Sequence, residues 1–203
     1  MADKRATDAQ TDESTSSARE ETIAAVLTHA AELFAERGPA ATSIRDIGTR
    51  SGVNHGLVFR YLGTKDQLVK AVLNHLADDV SAAAQAGAPV AVIAAKTELQ
   101  LRVVARATLD GFAVGRLQDR FPIAANLISH ALCSNEDERT GRLSAANVIA
   151  LQLGWQLFEP LVRAATGTED IPADELQHII NTEIARMLRT DPAELYQIAF
   201  PVN

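Results

Sequence analysis

At 203 residues and 47% hydrophobic content, the chain can build one ordinary core plus a smaller head, and not several independent domains. A single cysteine, Cys133, excludes an intrachain disulfide. The first ten residues lack the apolar stretch of an export signal, and the longest uncharged run, residues 80–95, is broken by Gly87 and Pro89 and fails as a membrane span. These features predict a cytoplasmic protein with no membrane role, and the net charge of −7 argues against nucleic acid as a partner unless basic groups are concentrated locally.

They are concentrated. Residues 42–66 hold four basic groups (Arg45, Arg50, Arg60, Lys65) against two acids, whereas residues 67–203 hold 11 basic groups against 16 acids. The first segment is the one able to face phosphates, and the acidic remainder is expected to face away.

In chain order, residues 1–17 are polar, rich in Asp, Thr and Ser and without apolar period, which predicts a disordered tail. Ser17 and Glu20 have capping-box spacing, and Ile23, Val26, Leu27, Ala30, Leu33 and Phe34 recur at helical intervals until Gly38, predicting a helix over 18–37. Thr42 or Ser43 opens a short helix with Ile44 and Ile47 inward, stopped by Gly52. Asn54 opens a second one ending near Leu62, and Thr64 with Gln67 caps a longer helix reaching about Ala86.

Past Gly87–Pro89, helical spacing resumes through Leu99, Val103, Val104, Ala107 and Phe112, and a short helix is expected over 122–132, followed by an acidic loop over 135–138. Residues 147–165 are apolar on two sides, so that helix needs two covers, and Pro160 is expected to kink or interrupt it. The last strong helix, 173–188, has one stripe (Leu176, Ile179, Ile180, Ile184, Met187, Leu188) suited to a partner helix. There is no strand-like alternation and no internal repeat. The fold class is all-α, with a head over 18–66 and a larger helical domain over 67–203.

Two short helices separated by Ser51-Gly52-Val53 have the length and turn chemistry of a helix-turn-helix, whose second member enters the major groove of DNA. Val53, Val58 and Leu62, with Ile44 and Ile47, are expected to hold the angle between them, leaving Asn54, His55, Leu57, Phe59, Arg60 and Tyr61 outward. An arginine there can grip guanine with two hydrogen bonds, and Leu57 or Phe59 can meet a thymine methyl. Gly56, with no side chain, permits close approach to the duplex.

The stretch Thr42-Ser43-Ile44-Arg45-Asp46-Ile47, then Ser51-Gly52-Val53, then Val58-Phe59-Arg60-Tyr61-Leu62 and Thr64-Lys65, resembles the signature of tetracycline-repressor (TetR) family regulators over roughly residues 23–73. The resemblance implies phosphate contacts from Thr42, Tyr61 and Lys65, a base contact from Arg45, and base or sugar contacts from residues 54–60. Ser43 belongs to the same candidate surface. The sequence departs from the family pattern at Pro39, Gly48, Asn54, Phe59 and Leu62. Phe59 lacks the hydroxyl of the usual tyrosine, which favours packing on sugar or methyl groups.

The resemblance further implies a homodimeric, ligand-responsive repressor of a pseudo-palindromic operator, with helices near 145–165 and 173–188 forming a four-helix interface and the effector beneath the fourth helix. Arg102, Phe112, Phe121, His130, Gln152, Trp155, Gln156 and Phe158 are candidates to line a largely apolar effector pocket, with plain core packing the competing account. No cofactor or metal is expected. His130 and Cys133, three apart on a helix, could pair as metal ligands or as a thiol and base, but no further ligands are near in sequence. An activator, a ligand-independent regulator, or an all-α enzyme using His130 and Cys133 are the alternatives.

Overall fold

A computed structural model describes the backbone of residues 2–135 and 137–201 and the side chains of 19–135 and 137–201. The helices are α1 (Ala2–Arg37), α2 (Ile44–Ser51), α3 (His55–Leu62), α4 (Lys65–Gln85), α5 (Val90–Leu109), α6 (Val114–Leu117), α7 (Pro122–Ser134), α8 (Glu138–Thr166), α9 (Ala173–Leu188) and α10 (Leu195–Ala199), with a 3-10 turn at Pro192–Glu194. The described residues contain no strand, and none of their helices is long and apolar enough to cross a membrane. The fold class is all-α.

Several boundaries differ from the sequence expectation. α1 continues back to Ala2, through the segment read as a disordered tail. Residues 2–17 contain neither Gly nor Pro, and extending an existing helix adds one hydrogen bond per residue without new nucleation. The Ser17 side chain, expected as a cap, lies outside the described residues, as does Glu136 of the acidic loop. α8 begins at Glu138, well before residue 147, because the Asp137 carboxylate accepts the Thr140 N–H at 2.9 Å and caps it. It also runs through Pro160 without interruption. The short α6 and α10 fall below the length at which apolar periodicity is readable.

By packing, the chain divides into two compact units, residues 1–76 with 106–119 and residues 77–105 with 120–203. The first therefore extends past residue 66. The Thr64 cap marks the start of a helix, not the end of a core, and Leu68, Val69, Val72 and Leu73 of α4 are fully buried. They join Val26, Ala30 and Phe34 of α1, Ile47 of α2 and Val58 of α3 among the buried residues of this unit. Fully burying a large aliphatic or aromatic side chain contributes about 1.5–3 kcal/mol. Asp119 ties the returning segment to α4, accepting from Lys70 Nζ at 2.8 Å and Asn74 Nδ2 at 2.9 Å while its own N–H donates to Asn74 Oδ1 at 3.1 Å.

In the second unit, Leu127 and Ala131 of α7, Ala145 and Val148 of α8, and Leu176, Ile180, Ile184 and Leu188 of α9 form one core cluster. This corrects the expectation that the α9 stripe faces a partner helix. Most of it is consumed against α7 and α8 of its own chain, and Ile179, 48% exposed, is left outside. On α8, Leu143, Phe158 and Leu161 also stand exposed.

Candidate nucleic-acid interface

The geometry of the head starts with the caps of α2. Ser43 Oγ accepts the Asp46 N–H at 3.1 Å and Asp46 Oδ2 accepts the Ser43 N–H at 2.8 Å, a complete capping box. Arg37 of α1 reaches the same carboxylate at 3.1 Å. These hydrogen bonds from Ser43, chiefly the backbone one, and the charges of Arg37 and Lys65 hold the Asp46 carboxyl below its ordinary value. At the other end Gly52 adopts φ 70° and its N–H returns to Gly48 O, which reverses the chain into α3. A Cβ on Gly48 would lie 2.7 Å from Val53 O, so the tight approach of the turn to α2 depends on that glycine.

Asn54 caps α3 by accepting the Gly56 N–H on Oδ1 at 2.8 Å. Val58 is buried and Leu62 half-buried, which turns the opposite face outward: His55, Gly56, Leu57, Phe59 and Arg60 are exposed. Phe59 is 58% exposed, a poor position for a large apolar ring unless something else covers it. Arg45, Asn54 and His55 line one groove with Gly48 and Gly52, so the α2 arginine and the start of α3 share a surface. Arg45 and Arg60 make no ion pair among the described residues, whereas Arg50 is bound by Glu36 at 2.8 Å and Glu32 at 3.4 Å.

The three residues expected to contact phosphate all make internal contacts. Thr42 is 3% exposed and its hydroxyl donates to Gly38 O at 2.8 Å, because the residue before the cap turns inward to close the α1–α2 turn; a direct side-chain contact with phosphate is not available to it. Lys65 is half-buried, donating to Thr42 O with its ammonium 4.9 Å from the Phe34 ring centroid. Burial pushes its pKa down, the nearby Asp110 and Asp46 opposing. Tyr61 is half-buried beneath two guanidinium groups, Arg19 of α1 at 5.0 Å and Arg60 at 5.6 Å from its ring centroid. Sequence reasoning missed Arg19. Nothing local marks it, since residues 18–41 are acidic on balance and the contact is made across 42 residues of chain.

The effector candidates scatter. Gln152, Trp155 and Gln156 line a cavity of about 540 Å3 in the second unit, bounded by α5, α8, α9 and α10. No lining residue of this cavity lies on α4, the helix beneath which the effector was expected. Arg102 is not among the lining residues but pairs with one of them, Glu98, at 2.6 Å. Phe112 belongs to the first unit, while Phe121, next to Pro122, and Phe158, on the outer side of α8, are 41% and 47% exposed. His130 lines a separate depression with Asn126 and Glu194, its Nε2 3.3 Å from Ser134 Oγ, and Cys133 is exposed. Thr97, Glu98, Glu159 and Asn181 of the cavity were not anticipated, because polar residues inside helical periods read as solvent-facing.

This architecture, a short capped helix, a glycine turn and an exposed eight-residue reading helix on an otherwise helical chain, defines a helix-turn-helix DNA-binding protein. The profile of the bacterial regulatory proteins of the tetR family matches residues 26–72. The chain is 51% identical over 170 residues, 84% of its length and 90% of the relative's, to the HTH-type transcriptional repressor Rv3405c of Mycobacterium tuberculosis. It is 26% identical over 145 residues, 71% of its length and 67% of the relative's, to the HTH-type transcriptional repressor KstR2 of Rhodococcus jostii. A solved putative TetR-family regulator from Vibrio parahaemolyticus aligns over 83% of this chain and 97% of that one at 19% identity and a TM-score of 0.48. The chain belongs to the TetR family and is a DNA-binding transcriptional regulator.

Proposed function

We propose that the protein is a homodimeric repressor whose two α3 helices enter major grooves of a pseudo-palindromic operator and which is released by a small molecule held in the cavity beside Trp155. The outward face of α3 carries the reading: Arg60 for guanine, Leu57 and Phe59 for thymine methyls, His55 and Asn54 for bases or sugar, with Gly56 admitting the backbone closely. Arg45 approaches from α2. Phosphate contacts fall to Ser43 at the α2 start and to Tyr61 and Lys65 through whatever reach their internal contacts leave. The name of the relative at 51% identity supports repression.

Dimerisation is supported by α8. Leu143, Ala150, Gly154, Leu157 and Leu161 recur at whole helical turns, and Leu143 and Leu161 are 54% and 65% exposed. A two-fold pair of heads reads half-sites about 34–36 Å apart or a multiple of that. The effector and the operator oppose each other through a coupling of about 1–3 kcal/mol.

Selection of bound duplexes from a random library, followed by gel shift across a salt series, tests the reading. The expected result is a pseudo-palindrome and an affinity falling steeply with salt. Absence of any enriched duplex at low ionic strength sinks it.

A further inference from the structure

The cavity beside Trp155 has an acceptor-rich wall. Glu98 of α5 and Glu159 of α8 line it, together with the amides of Gln152 and Gln156, and none of its described lining residues is Lys, Arg or His. Ile93, Leu101, Trp155, Ile180 and Phe200 are among its apolar lining.

Each of these acids is met by one arginine from outside the lining. Arg163 is largely buried, gives Glu159 Oε1 one hydrogen bond at 3.0 Å, and spends the rest of its fork on the carbonyls of Glu169 and Ile171 in the α8–α9 loop. Arg102 meets Glu98 in a solvent-exposed pair of the kind that exchanges readily. A carboxylate offers about four acceptor sites, so each acid retains capacity after its one arginine contact.

We infer that this cavity selects an aromatic molecule carrying a positive charge and rejects anionic ones. A cation can stack on the face of the Trp155 indole and be bonded by a carboxylate. An anion in the same place meets two carboxylates, each paired with a single arginine that is not itself in the lining, and finds no lining cation of its own to offset the loss of hydration. A three-ring aromatic fits comfortably in a site of this size. The regulatory meaning of the selection rests on the proposed effector role, but the selection itself is a property of the chain without DNA.

The test uses three probes of one shape on the full chain: N-methylacridinium, acridine in buffer alkaline enough to keep it unprotonated, and acridine carboxylate. Calorimetry gives the affinities, and quenching of Trp155, the one tryptophan present, reports the location. The cation is expected to bind at least tenfold tighter than the carboxylate. Glu98→Gln with Glu159→Gln should collapse that ratio toward one while leaving helicity unchanged, since glutamine still offers Arg163 an oxygen. Arg102→Ala should keep or sharpen it. The inference is overturned if the carboxylate binds as tightly as the cation, if the double variant keeps the ratio, or if no probe quenches Trp155. A cation that binds, quenches and leaves operator affinity unchanged defeats the release mechanism and leaves this inference standing.

Discussion

The Asp110 carboxylate, immediately past the end of α5, accepts the backbone N–H of Ala40 at 2.7 Å in the turn between α1 and α2. A residue 70 positions downstream thus fixes the turn from which the reading head is built. Its Oδ2 lies 2.5 Å from where a Cβ would stand on Gly38, and its charge is one of those facing Lys65. Asp110→Ala leaves that N–H to water, and the site is exposed, so a loss of about 1 kcal/mol is expected, lowering Tm by roughly 2–4 °C for a chain of this size. Asp110→Asn keeps an acceptor and should recover most of it. Operator affinity should fall in the same order, read by gel shift. Equal affinity for all three proteins would show that the turn needs no such tie.

The capping box at Ser43 and Asp46 makes the head acid-sensitive. The Asp46 carboxyl is held below its unfolded value, so the ionised form stabilises the fold above the ordinary carboxylate range, and this contribution is lost as pH falls through the lowered folded value. Ser43→Ala should cost about 1 kcal/mol. Asp46→Asn should weaken the head at neutral pH and remove part of its loss in acid. Amide exchange of α2 against pH checks both; a profile identical in the wild type and in Asp46→Asn refutes the assignment.

Much of the head was legible because its signals are local: the cap residues, Gly52, and the 3.6-residue recurrence of Ile44, Ile47, Val58 and Leu62 all sit within two dozen positions. The internal commitments of Thr42 and Lys65 were not, since one depends on a carbonyl of the preceding turn and the other on Phe34, an apolar ring 31 residues upstream. The α9 stripe showed which face is apolar but not what covers it. Periodicity gives the direction of burial, and only packing distinguishes α7 and α8 of the same chain from a partner.

Arg60, Lys65 and Thr42 should separate in a binding assay. Arg60→Ala removes an exposed group, so Tm should hold while discrimination at one base position falls by about 1–3 kcal/mol. Lys65→Ala strips the Thr42 carbonyl of its donor and the Phe34 face of its cation, so it should lower Tm without DNA and weaken all duplexes alike. A salt slope reduced by about one unit would mean its ammonium also reaches phosphate. Thr42→Val should lower Tm and leave the salt slope alone. A reduced slope in Thr42→Val, or relaxed base preference in Lys65→Ala, contradicts this division.

Gly154 gives the sharpest test of the α8 interface. An added Cβ there meets nothing within 4 Å, so the chain itself has no use for the glycine, which costs a helix interior roughly 0.5–1 kcal/mol relative to alanine. A partner helix crossing at that point does have a use for it, because the missing side chain lets two backbones approach. Gly154→Leu should therefore leave the isolated chain as stable or more stable while weakening dimerisation at least tenfold, about 1.4 kcal/mol. Leu161→Glu should also produce monomer, by placing charge on the 65% exposed end of the same stripe. Sedimentation at graded concentrations reads both, and operator affinity should fall with the dimer. If both variants sediment as wild type does, the partner helix crosses elsewhere and the repeat of Leu143, Ala150, Gly154, Leu157 and Leu161 has no role in assembly.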